Sequence, residues 1–389
     1  MTHQDRDLSR CLRPRLLLVG IVLVALLATA LQCGGGAPRL GWAGPNKAEN
    51  VVYCGLADGK VYALDATNGT QLWVYPPPEE NKGEQPTGGL FGCMTGSASP
   101  AGTLGGVYTT PVISGSVVYV GAYNHKLYAL DARTGAPAWP QPFEAGGPII
   151  SGLRLHDGVL YFGCNDYKLY AVEAQTGTKR WEFTTSQMIW STPTVHDGVV
   201  YFGSNDHKLY AVEATTGRSR WTHEGEGLIV TSPAIANGRL YFGDLHRLYA
   251  LNLTDDRSVA WTFSAQNWIW ADPTVISDTV YVGSLDHWVY ALDAHTGALK
   301  WQHDTGGQVR AAVVVQDGVA YVGSESQKVL ALDAQTGDLK WECQVRGKVL
   351  ATPFLAADQL YVTTAEARLY ALDVASGAVR WQFPPAISK

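Results

Sequence analysis

The sequence has few of the features that indicate helical structure, nucleic-acid binding or calcium binding. Met accounts for only 3 of 389 residues while Tyr accounts for 19, and the apolar runs are short, β-branched and aromatic, which is typical of strands. The net charge is −6 and no basic run occurs outside the extreme N-terminus, so a nucleic-acid partner is not expected. No acidic cluster marks a calcium-binding loop. These absences favour an all-β protein that does not bind nucleic acid.

The sequence has one long uncharged apolar segment, residues 16–32, near its N-terminus. Three Arg residues precede it between positions 10 and 15, and Ala28-Thr29-Ala30 offers a cleavage site of small residues. This order is typical of a signal peptide. The chain is therefore predicted to leave the cytoplasm.

Cys33 follows this segment and is itself followed by three Gly residues. The arrangement resembles the start of a mature bacterial lipoprotein, where a lipidated cysteine precedes a flexible tether, although Gln32 departs from that pattern. Simple cleavage after Ala30 and an uncleaved anchor are the alternatives. We expect residues 1–36 to be a signal peptide or membrane anchor with a Gly tether. The protein would then be anchored to a membrane on its extracytoplasmic side, in the periplasm or at the cell surface.

A repeat with a period near forty residues runs through the rest of the chain. The line "NDYKLYAVEAQTGTKRW" (165–181) recurs, with few changes, as "NDHKLYAVEATTGRSRW" (205–221). Eight copies of this line end in a Trp, and we call these residues the docking Trp: Trp73, Trp139, Trp181, Trp221, Trp261, Trp301, Trp341 and Trp381. A fixed period of this length indicates a repeat architecture.

Each repeat contains four short apolar runs separated by turn residues. In the fourth repeat these runs cover residues 193–195, 199–203, 209–213 and 220–222. Asp197-Gly198 between the first two runs is a strong hairpin signal. A four-stranded meander cannot bury both faces alone, but eight of them stacked around an axis bury one another. We therefore predict an eight-bladed β-propeller of four-stranded antiparallel blades over residues 42–384, in which blade 8 closes on blade 1 without strand exchange.

The end of each repeat, Asp-x-x-Thr-Gly-x-x-x-Trp, has a structural interpretation. The acidic residue, such as Asp293, can accept N–H groups of the turn, and the Gly, such as Gly297, supplies a positive φ. A Trp at a fixed place in every outer strand suits packing between blades, with its indole N–H bonded to the neighbouring blade. The docking Trp are therefore predicted to be structural. Arg257 replaces the Gly in the fifth copy, and Asn68 replaces the Thr in the first.

The segments "ALDAQTGDLKW" (331–341) and "AVEATTGRSRW" (211–221) resemble the tryptophan-docking motif of the PQQ-like β-propeller repeat family. The resemblance covers residues 42–384. This family includes quinoprotein dehydrogenases, which bind pyrroloquinoline quinone (PQQ) on an eight-bladed propeller. It also includes non-enzymatic exported lipoprotein propellers, and the layout here is most similar to the lipoprotein propeller of the outer-membrane β-barrel assembly machine.

The resemblance implies a specific cofactor site in the quinoprotein members. There, PQQ lies between a Trp and a disulfide of two adjacent cysteines, beside a Ca²⁺ ion and a catalytic Asp. This chain has no Cys-Cys pair, and Trp270, Asp272 and Arg310 are the only trio that could be nominated. We therefore expect neither PQQ nor Ca²⁺ and no enzymatic activity. A PQQ-dependent dehydrogenase or a small-ligand sensor is the alternative.

Five of the 13 Trp residues are not docking Trp: Trp42, Trp190, Trp268, Trp270 and Trp288. By register they precede a first strand or lie between second and third strands, which is the same end of every blade. The residues at one equivalent position of the eight repeats are then predicted to form a ring around the channel mouth: Trp42, Tyr108, Ile150, Trp190, Val230, Trp270, Arg310 and Leu350.

Aromatic and Arg residues gathered on one face are typical of recognition surfaces. We predict that this face binds a partner through six residues: Trp42, Tyr108, Trp190, Trp270, Trp288 and Arg310. The alternative is that the apolar members of the ring only plug a narrow channel. The opposite face, built from Asp-Gly and Thr-Gly turns, is expected to be inert.

An irregular insertion, residues 76–104, separates blades 1 and 2 and is rich in Pro, Gly and Ser. A loop of this length in a compact fold is usually functional or disordered. Since it joins the two blades on the face of the channel mouth, we predict that residues 86–96 form a movable flap over the mouth, with Phe91 and Met94 as its anchors.

Two cysteines lie near this insertion or within it. Cys54 ends a second strand and Cys93 lies in the insertion, so a Cys54–Cys93 disulfide is predicted in an oxidising compartment. Cys164 is a rival partner. Unpaired thiols that act as small buried residues are the alternative.

Four histidines occupy matching turns of blades 2, 4, 5 and 6, and Tyr167 fills that place in blade 3: His125, His207, His246 and His287. Adjacent sheets pack about 10 Å apart, while a zinc–imidazole bond is about 2.1 Å long. Turns on separate blades therefore cannot easily share one ion, and no metal site is expected. We predict instead that these residues adopt left-handed turn conformations.

Together these observations predict an exported, membrane-tethered, monomeric propeller. Its predicted function is to act as a binding scaffold for a protein or peptide partner in the cell envelope, and the family resemblance implies a role in the assembly of envelope or outer-membrane proteins.

Overall fold

The computed structural model describes residues 41–78, 103–254 and 256–385. Every helix or strand found within these ranges is a β-strand, and no helix there is long and apolar enough to cross a membrane. Several sequence predictions lie outside the described residues: the export segment 1–36 with Cys33, the greater part of the insertion with Phe91 and Met94, and Cys93.

The described strands are grouped in order into eight blades of four. Blade 1 holds β1 (Asn46–Ala48), β2 (Val51–Gly55), β3 (Val61–Asp65) and β4 (Gln71–Tyr75); blade 2 holds β5 (Val112–Ser114), β6 (Val117–Gly121), β7 (Lys126–Asp131) and β8 (Phe143–Glu144). Blade 3 holds β9 (Arg154–His156), β10 (Val159–Gly163), β11 (Lys168–Glu173) and β12 (Lys179–Thr184); blade 4 holds β13 (Thr194–His196), β14 (Val199–Gly203), β15 (Lys208–Glu213) and β16 (Ser219–Glu224). Blade 5 holds β17 (Ala234–Ala236), β18 (Arg239–Asp244), β19 (Arg247–Asn252) and β20 (Val259–Ser264); blade 6 holds β21 (Thr274–Ile276), β22 (Thr279–Gly283), β23 (Trp288–Asp293) and β24 (Leu299–Asp304). Blade 7 holds β25 (Val314–Gln316), β26 (Val319–Gly323), β27 (Lys328–Asp333) and β28 (Leu339–Gln344); blade 8 holds β29 (Phe354–Ala356), β30 (Gln359–Thr364), β31 (Arg368–Asp373) and β32 (Val379–Phe383).

Each blade is an antiparallel meander of four consecutive strands, so the predicted eight-bladed propeller is confirmed. First strands of neighbouring blades contact one another, which places them innermost around the channel. The second strand β14 is buried along its whole length, while the fourth strand β16 alternates between exposed and half-buried residues. The apolar core therefore lies between blades. The hairpin residues Asp197 and Gly198 have φ of 48° and 69°, as a tight primed turn requires.

Seven of the eight docking Trp donate their indole N–H to a backbone carbonyl of the next blade, over 2.9–3.0 Å. The same rings pack against the Gly of the next blade's last turn. An added Cβ on Gly337, for example, would lie 2.7 Å from Cε3 of Trp301. The absence of a side chain at this Gly is therefore needed for close packing as well as for its positive φ.

Trp221 is the exception among the docking Trp. Blade 5 presents Arg257, at a φ of 47°, where the other blades present Gly, and its guanidinium lies 5.5 Å from the Trp221 ring centroid. The turn is one residue longer there, because β19 ends at Asn252 and β20 begins at Val259. Within the described residues the indole N–H of Trp221 has no hydrogen-bond acceptor. The predicted bond to the neighbouring blade is thus not formed at this position.

The ring closes between blade 8 and blade 1. Trp381 donates its indole N–H to the Ala66 carbonyl over 2.9 Å, and the Thr363 hydroxyl donates to the Ala43 carbonyl over 2.7 Å. Blade 8 consists of the last four described strands, β29 to β32, so among the described residues no strand is exchanged at this junction.

A circle of hydrogen bonds joins the inner ends of the blades. A backbone N–H of one blade donates to a side-chain oxygen of the next, over 2.6–3.2 Å, at five interfaces: Gly44 to Thr110, Gly152 to Thr192, Thr192 to Ser232, Ser232 to Asp272, and Ala312 to Thr352. At the other three interfaces the acceptor position holds Gly44, Gly152 or Ala312. These residues have no side-chain oxygen, which explains the gaps in the circle.

Candidate binding site at the channel mouth

Three Trp residues and one Arg come together where the channel opens. The ring centroids of Trp190 and Trp270 are 6.2 Å apart, and Trp268 stacks on Trp270 at the same centroid distance with planes 10° apart. The guanidinium of Arg310 lies 5.0 Å from the Trp270 centroid. We call Trp190, Trp268, Trp270 and Arg310 the mouth cluster. Its members belong to blades 4, 6 and 7, and they meet because the ring of blades narrows at its centre.

The direction of Trp190 follows from its neighbours in sequence. Ile189 and Ser191 on either side are fully buried, and Ile189 packs so close to Gly163 that an added Cβ would lie 2.3 Å from its Cγ2. In an extended segment alternate side chains point in opposite directions. Trp190 is therefore turned toward the mouth, where it stays half-buried and donates its indole N–H to Asn165 Oδ1 over 2.9 Å.

Arg310 is held by polar contacts as well as by Trp270. Its Nε donates to Glu325 Oε1 over 2.5 Å and its Nη2 donates to Gln308 Oε1 over 3.0 Å. Burial alone would raise the pKa of Glu325, but hydrogen bonds from Lys348 and Arg310, together with their charges, lower it below its usual value. Glu325 is thus ionised and fixes the guanidinium plane beside the indole ring.

A second aromatic group lies on the blade 1 and blade 2 side of the mouth. Trp42 and Tyr108 meet edge-on with centroids 4.7 Å apart, and Tyr108 lies 5.8 Å from Tyr123. Burial, followed by the proximity of Tyr123, raises the pKa of Tyr108 to about 12, so its phenol stays protonated at neutral pH. The end of the insertion returns beside this group, where Leu104 is buried and its carbonyl accepts the N–H of Asn124.

Trp288 is placed apart from the mouth cluster. It begins β23, pairs with Asp304 of the outer strand, and packs on the apolar cluster between blades 5 and 6. The corresponding position in β15 and β27 is Lys. Among the ring contacts of the described chain, none joins Trp288 to the other predicted partner-binding residues.

The mouth cluster is packed and not hollow. The cavity beneath Trp268 and Trp270, also lined by Leu228, Val230 and Leu245, has a volume of only about 10 Å³. Such a space holds about one water molecule. Any partner at this face must therefore contact the outer surface of the aromatic side chains.

A second ring of residues supports the mouth, and the sequence predictions did not include it. Three of its members, Tyr123, Asn165 and Glu325, stand two positions after the Gly that ends the second strand of blades 2, 3 and 7. These three contact Tyr108, Trp190 and Arg310 respectively. Aligning the repeats at that Gly would have revealed this ring, because its residue types vary while its register does not.

The trio nominated for PQQ chemistry is not assembled as one site. Asp272 accepts the backbone N–H of Ser232 over 2.6 Å and belongs to the inner circle of hydrogen bonds. Burial raises the pKa of Asp272, an effect that hydrogen bonding from Ser232 and then the charge of Arg154 partly offset. Arg310 is engaged by Glu325, so among the three only Trp270 and Arg310 contact each other.

The predicted turn conformations hold for His125, His207, His287 and Tyr167, whose φ values are 70°, 70°, 82° and 71°. His246 differs and has no positive φ, because β18 and β19 of blade 5 are joined by a turn of two residues. No three His, Cys, Asp or Glu side chains in the described ranges are grouped so as to hold a metal ion.

Cys54 and Cys164 are both free thiols and are fully buried. Burial raises the pKa of Cys164 to about 12 and that of Cys54 still further above its usual value. The Cys164 thiol donates to the Gly147 carbonyl over 3.1 Å. Cys54 forms no disulfide with another described residue, and because Cys93 lies outside the described residues the Cys54–Cys93 disulfide stays a prediction.

Comparison with known proteins shows that the chain matches a family model. Residues 57–224, 147–255, 223–313 and 286–386 match the sequence model of the PQQ_2 family, described as outer membrane protein assembly factor BamB. Two curated relatives with this name come from Escherichia coli K12, 35% identical over 95 residues, and from Aliivibrio fischeri, 32% identical over 94 residues. Each match covers 24% of this chain and only 20% of the relative.

Two solved structures share the fold at low sequence identity. The crystal structure of BamB from Moraxella catarrhalis has a TM-score of 0.65 and 20% identity, and the match covers 84% of this chain and 92% of that one. The computationally designed Ika8 protein has a TM-score of 0.69 and 15% identity, with 86% and 96% covered.

Proposed function

The chain belongs to the outer membrane protein assembly factor BamB family, and from this premise we propose that it is an exported propeller scaffold that binds a protein or peptide partner in the cell envelope. The partner would be a component or a client of outer-membrane protein assembly. The observation that supports this proposal is the mouth cluster, in which three Trp rings and one oriented Arg form a firm surface. Trp and Arg are the residue types that most often dominate binding energy in protein interfaces.

A catalytic role with PQQ and Ca²⁺ has little support from the residues present. The described cysteines, Cys54, Cys164 and Cys343, belong to blades 1, 3 and 7 and are free, so they do not supply a disulfide of adjacent residues. Asp272 is already bonded to the inner circle. We propose a non-enzymatic protein, which mixing the purified chain with PQQ and Ca²⁺ tests directly. A shifted PQQ absorbance band that follows the protein through gel filtration would contradict this part.

The mouth is tested by the double variant Trp190→Ala/Trp270→Ala. The protein would be used as bait on detergent-solubilised envelope membranes, with captured proteins identified by mass spectrometry. Loss of each half-buried anchor should cost about 2 kcal/mol of binding or more, and capture of outer-membrane assembly proteins should fall sharply. The matched control is Thr176→Ala/Thr216→Ala on the opposite face. Capture that survives in the mouth variant and fails in the control would reject the mouth as the binding face.

Tethering is a separate part of the proposal and rests on Cys33 and the segment before it. A lipidated cysteine should hold the protein in the membrane fraction, and Cys33→Ser should release it into the soluble fraction if no uncleaved anchor remains. Fractionation with labelling by a radioactive fatty acid distinguishes lipidation from an uncleaved anchor.

A further inference from the structure

A cavity of about 190 Å³ opens between blades 7 and 8, on the face opposite the mouth. Its walls are mainly apolar: Val319, Trp341, Leu355, Ala357, Val374 and Ala375. Gln316, Asp317, Tyr321 and Lys340 complete the lining. We call this space the 7–8 pocket. It is far larger than the space under the mouth cluster and is unrelated to the proposed partner surface.

Tyr321 contributes an unpaired hydroxyl to the 7–8 pocket. At five other interfaces the equivalent Tyr donates its hydroxyl to the carbonyl that also accepts the docking Trp, over 2.9–3.1 Å: Tyr53, Tyr119, Tyr161, Tyr241 and Tyr281. Trp341 keeps its bond to the Val374 carbonyl, but Tyr321, only 2% exposed, has no hydrogen bond within the described chain. This hydroxyl lies in the wall of the pocket and is not sealed from solvent, so a ligand with a hydrogen-bonding group can bond to it in place of water.

The sequence explains why this interface is open. The five bonded Tyr residues donate to the carbonyl of an Ala, and the residue at that position opposite Tyr321 is Val374. Tyr201, whose hydroxyl also makes no hydrogen bond within the described residues, has Leu253 at that position. Ala357 and Ala375 place methyl groups in turns where other blades have longer side chains, such as Asp197. Larger side chains in blades 7 and 8 would close the groove.

Blade 5 shows how the corresponding groove is filled when a long side chain is available. Arg239 extends from β18 and donates through Nη1 to the carbonyls of Ala294 and His295 in blade 6, over 2.8 Å each. The equivalent residue in blade 7 is Val319. Its side chain is too short to reach across the groove.

We propose that the 7–8 pocket binds a neutral aromatic ring carrying one hydrogen-bonding group, of the kind found in a phenol or a tyrosine side chain. An engineered apolar cavity of about 150 Å³ binds benzene, so a volume near 190 Å³ accommodates a ring with a small substituent. Trp341 and Tyr321 offer aromatic contacts, and the Tyr321 hydroxyl gains its missing partner. Lys340 at the rim is neutralised by Asp333 at 2.9 Å, which leaves little attraction for an anion.

The pocket is tested with the purified full-length protein and 4-fluorophenol as the probe, followed by fluorine NMR. Binding should broaden and shift the fluorine signal. Ala375→Leu fills the pocket from an exposed turn and should abolish the effect, while the matched change Thr215→Leu in blade 4 should leave it intact. Equal binding by wild type and Ala375→Leu, equal loss in both Leu variants, or no binding at all would overturn the proposal.

A second pair of variants isolates the hydroxyl. Tyr321→Phe should weaken 4-fluorophenol binding about fivefold, the value of one neutral hydrogen bond, without lowering the melting temperature. Tyr281→Phe should lower the melting temperature, because it loses its bond to Ala334, and should not change binding. The opposite pattern in either variant would contradict the role assigned to Tyr321.

The source of the ring is distinguished by a competition arm with N-acetyltyrosinamide. Displacement of 4-fluorophenol would indicate a tyrosine side chain of a peptide, and failure to displace it would indicate a free small molecule. Either result is compatible with binding of the ring in the 7–8 pocket. The variant Trp190→Ala/Trp270→Ala should bind 4-fluorophenol normally, so failure of the mouth proposal and failure of the pocket proposal are separable.

Discussion

The interface between blades 4 and 5 and the interface between blades 6 and 7 are built from the same repeat line but pack differently. Trp301 is 7% exposed, packs against Gly337 and bonds to the Ala334 carbonyl. Trp221 is half-buried, packs on Tyr201 with ring centroids 5.8 Å apart, and has a cation–π contact with Arg257 where Trp301 has a hydrogen bond. A side chain at the Gly position cannot lie under the ring, so the turn lengthens and the hydrogen bond is lost. Gly in this repeat thus determines how closely two blades approach.

The same irregular interface differs in two further residues. Leu253 replaces the Ala whose carbonyl usually accepts a Tyr hydroxyl, and Tyr201 has no such bond in the described residues. His223 occupies the place that Phe183 holds one blade earlier. Several small departures therefore occur together between blades 4 and 5, which should make this interface the easier one to weaken without unfolding its neighbours.

Removing a docking Trp should have the largest effect on stability. Trp301→Ala should lower the free energy of unfolding by about 3–5 kcal/mol, because a large buried ring and one hydrogen bond are lost. Trp221→Ala should cost about 1 kcal/mol less, since its indole N–H makes no hydrogen bond to the described residues. Urea unfolding followed by circular dichroism measures both variants. Equal losses would mean that the indole bond adds nothing to packing between blades.

Changing the residue opposite the ring should have a smaller and asymmetric effect. Gly337→Ala places a Cβ 2.7 Å from Trp301 at a φ of 77° and should cost about 2 kcal/mol. Arg257→Gly should change stability by no more than about 0.5 kcal/mol, because Gly adopts the positive φ freely and this offsets the lost cation–π contact. Calorimetric melting temperatures report both changes. A large loss in Arg257→Gly would show that the guanidinium holds blades 4 and 5 together.

The smallest expected effect is a pH dependence at the irregular interface. His223 lies against Phe242 and Tyr249 with centroids 5.8 and 6.1 Å apart, and burial lowers its pKa below the usual 6.5, with Asp244 opposing the shift. The unfolded chain then binds the proton more readily than the folded chain. The stability contribution is complete above pH 6.5 and declines as the pH falls below that value through the folded pKa.

In the His223→Phe variant, the free energy of unfolding should depend less on pH between neutral and acidic conditions. His295→Gln, on an exposed turn of blade 6, serves as the control. A His223→Phe profile that runs parallel to the wild-type profile would remove His223 as the source of the pH dependence.

The blade architecture was predictable because its determinants are local. Asp197-Gly198 prescribes a hairpin through the φ values that these residues tolerate, and the forty-residue spacing of Trp repeats the same four strands. The position of Trp190 and Trp270 at one end of the blades follows from strand order in the same way. Register along a strand depends on a period of two, and a period can be read from the chain.

Contacts around the mouth were not predictable by the same means. Trp190 and Trp270 come from blades 4 and 6 and still meet, because the channel is narrow enough for side chains to cross it. Trp288 has the register of that face but lies at the radius of a third strand, so it packs between blades. A repeat pattern predicts at which end of a blade a residue lies, but it does not predict how far its side chain lies from the propeller axis.

What the sequence determined by itself was the number of blades, their strand order, their turns and the face on which the unassigned aromatic residues lie. These depend on backbone preferences and on alternation within about forty residues of chain. Only the tertiary structure decided that Trp221 has no hydrogen-bond acceptor among the described residues, that Asn165 and Glu325 support the mouth, and that the hydroxyl of Tyr321 faces an open pocket. Each of these depends on the fit between side chains of different blades, where a change of one methyl group or one turn residue decides whether a bond forms.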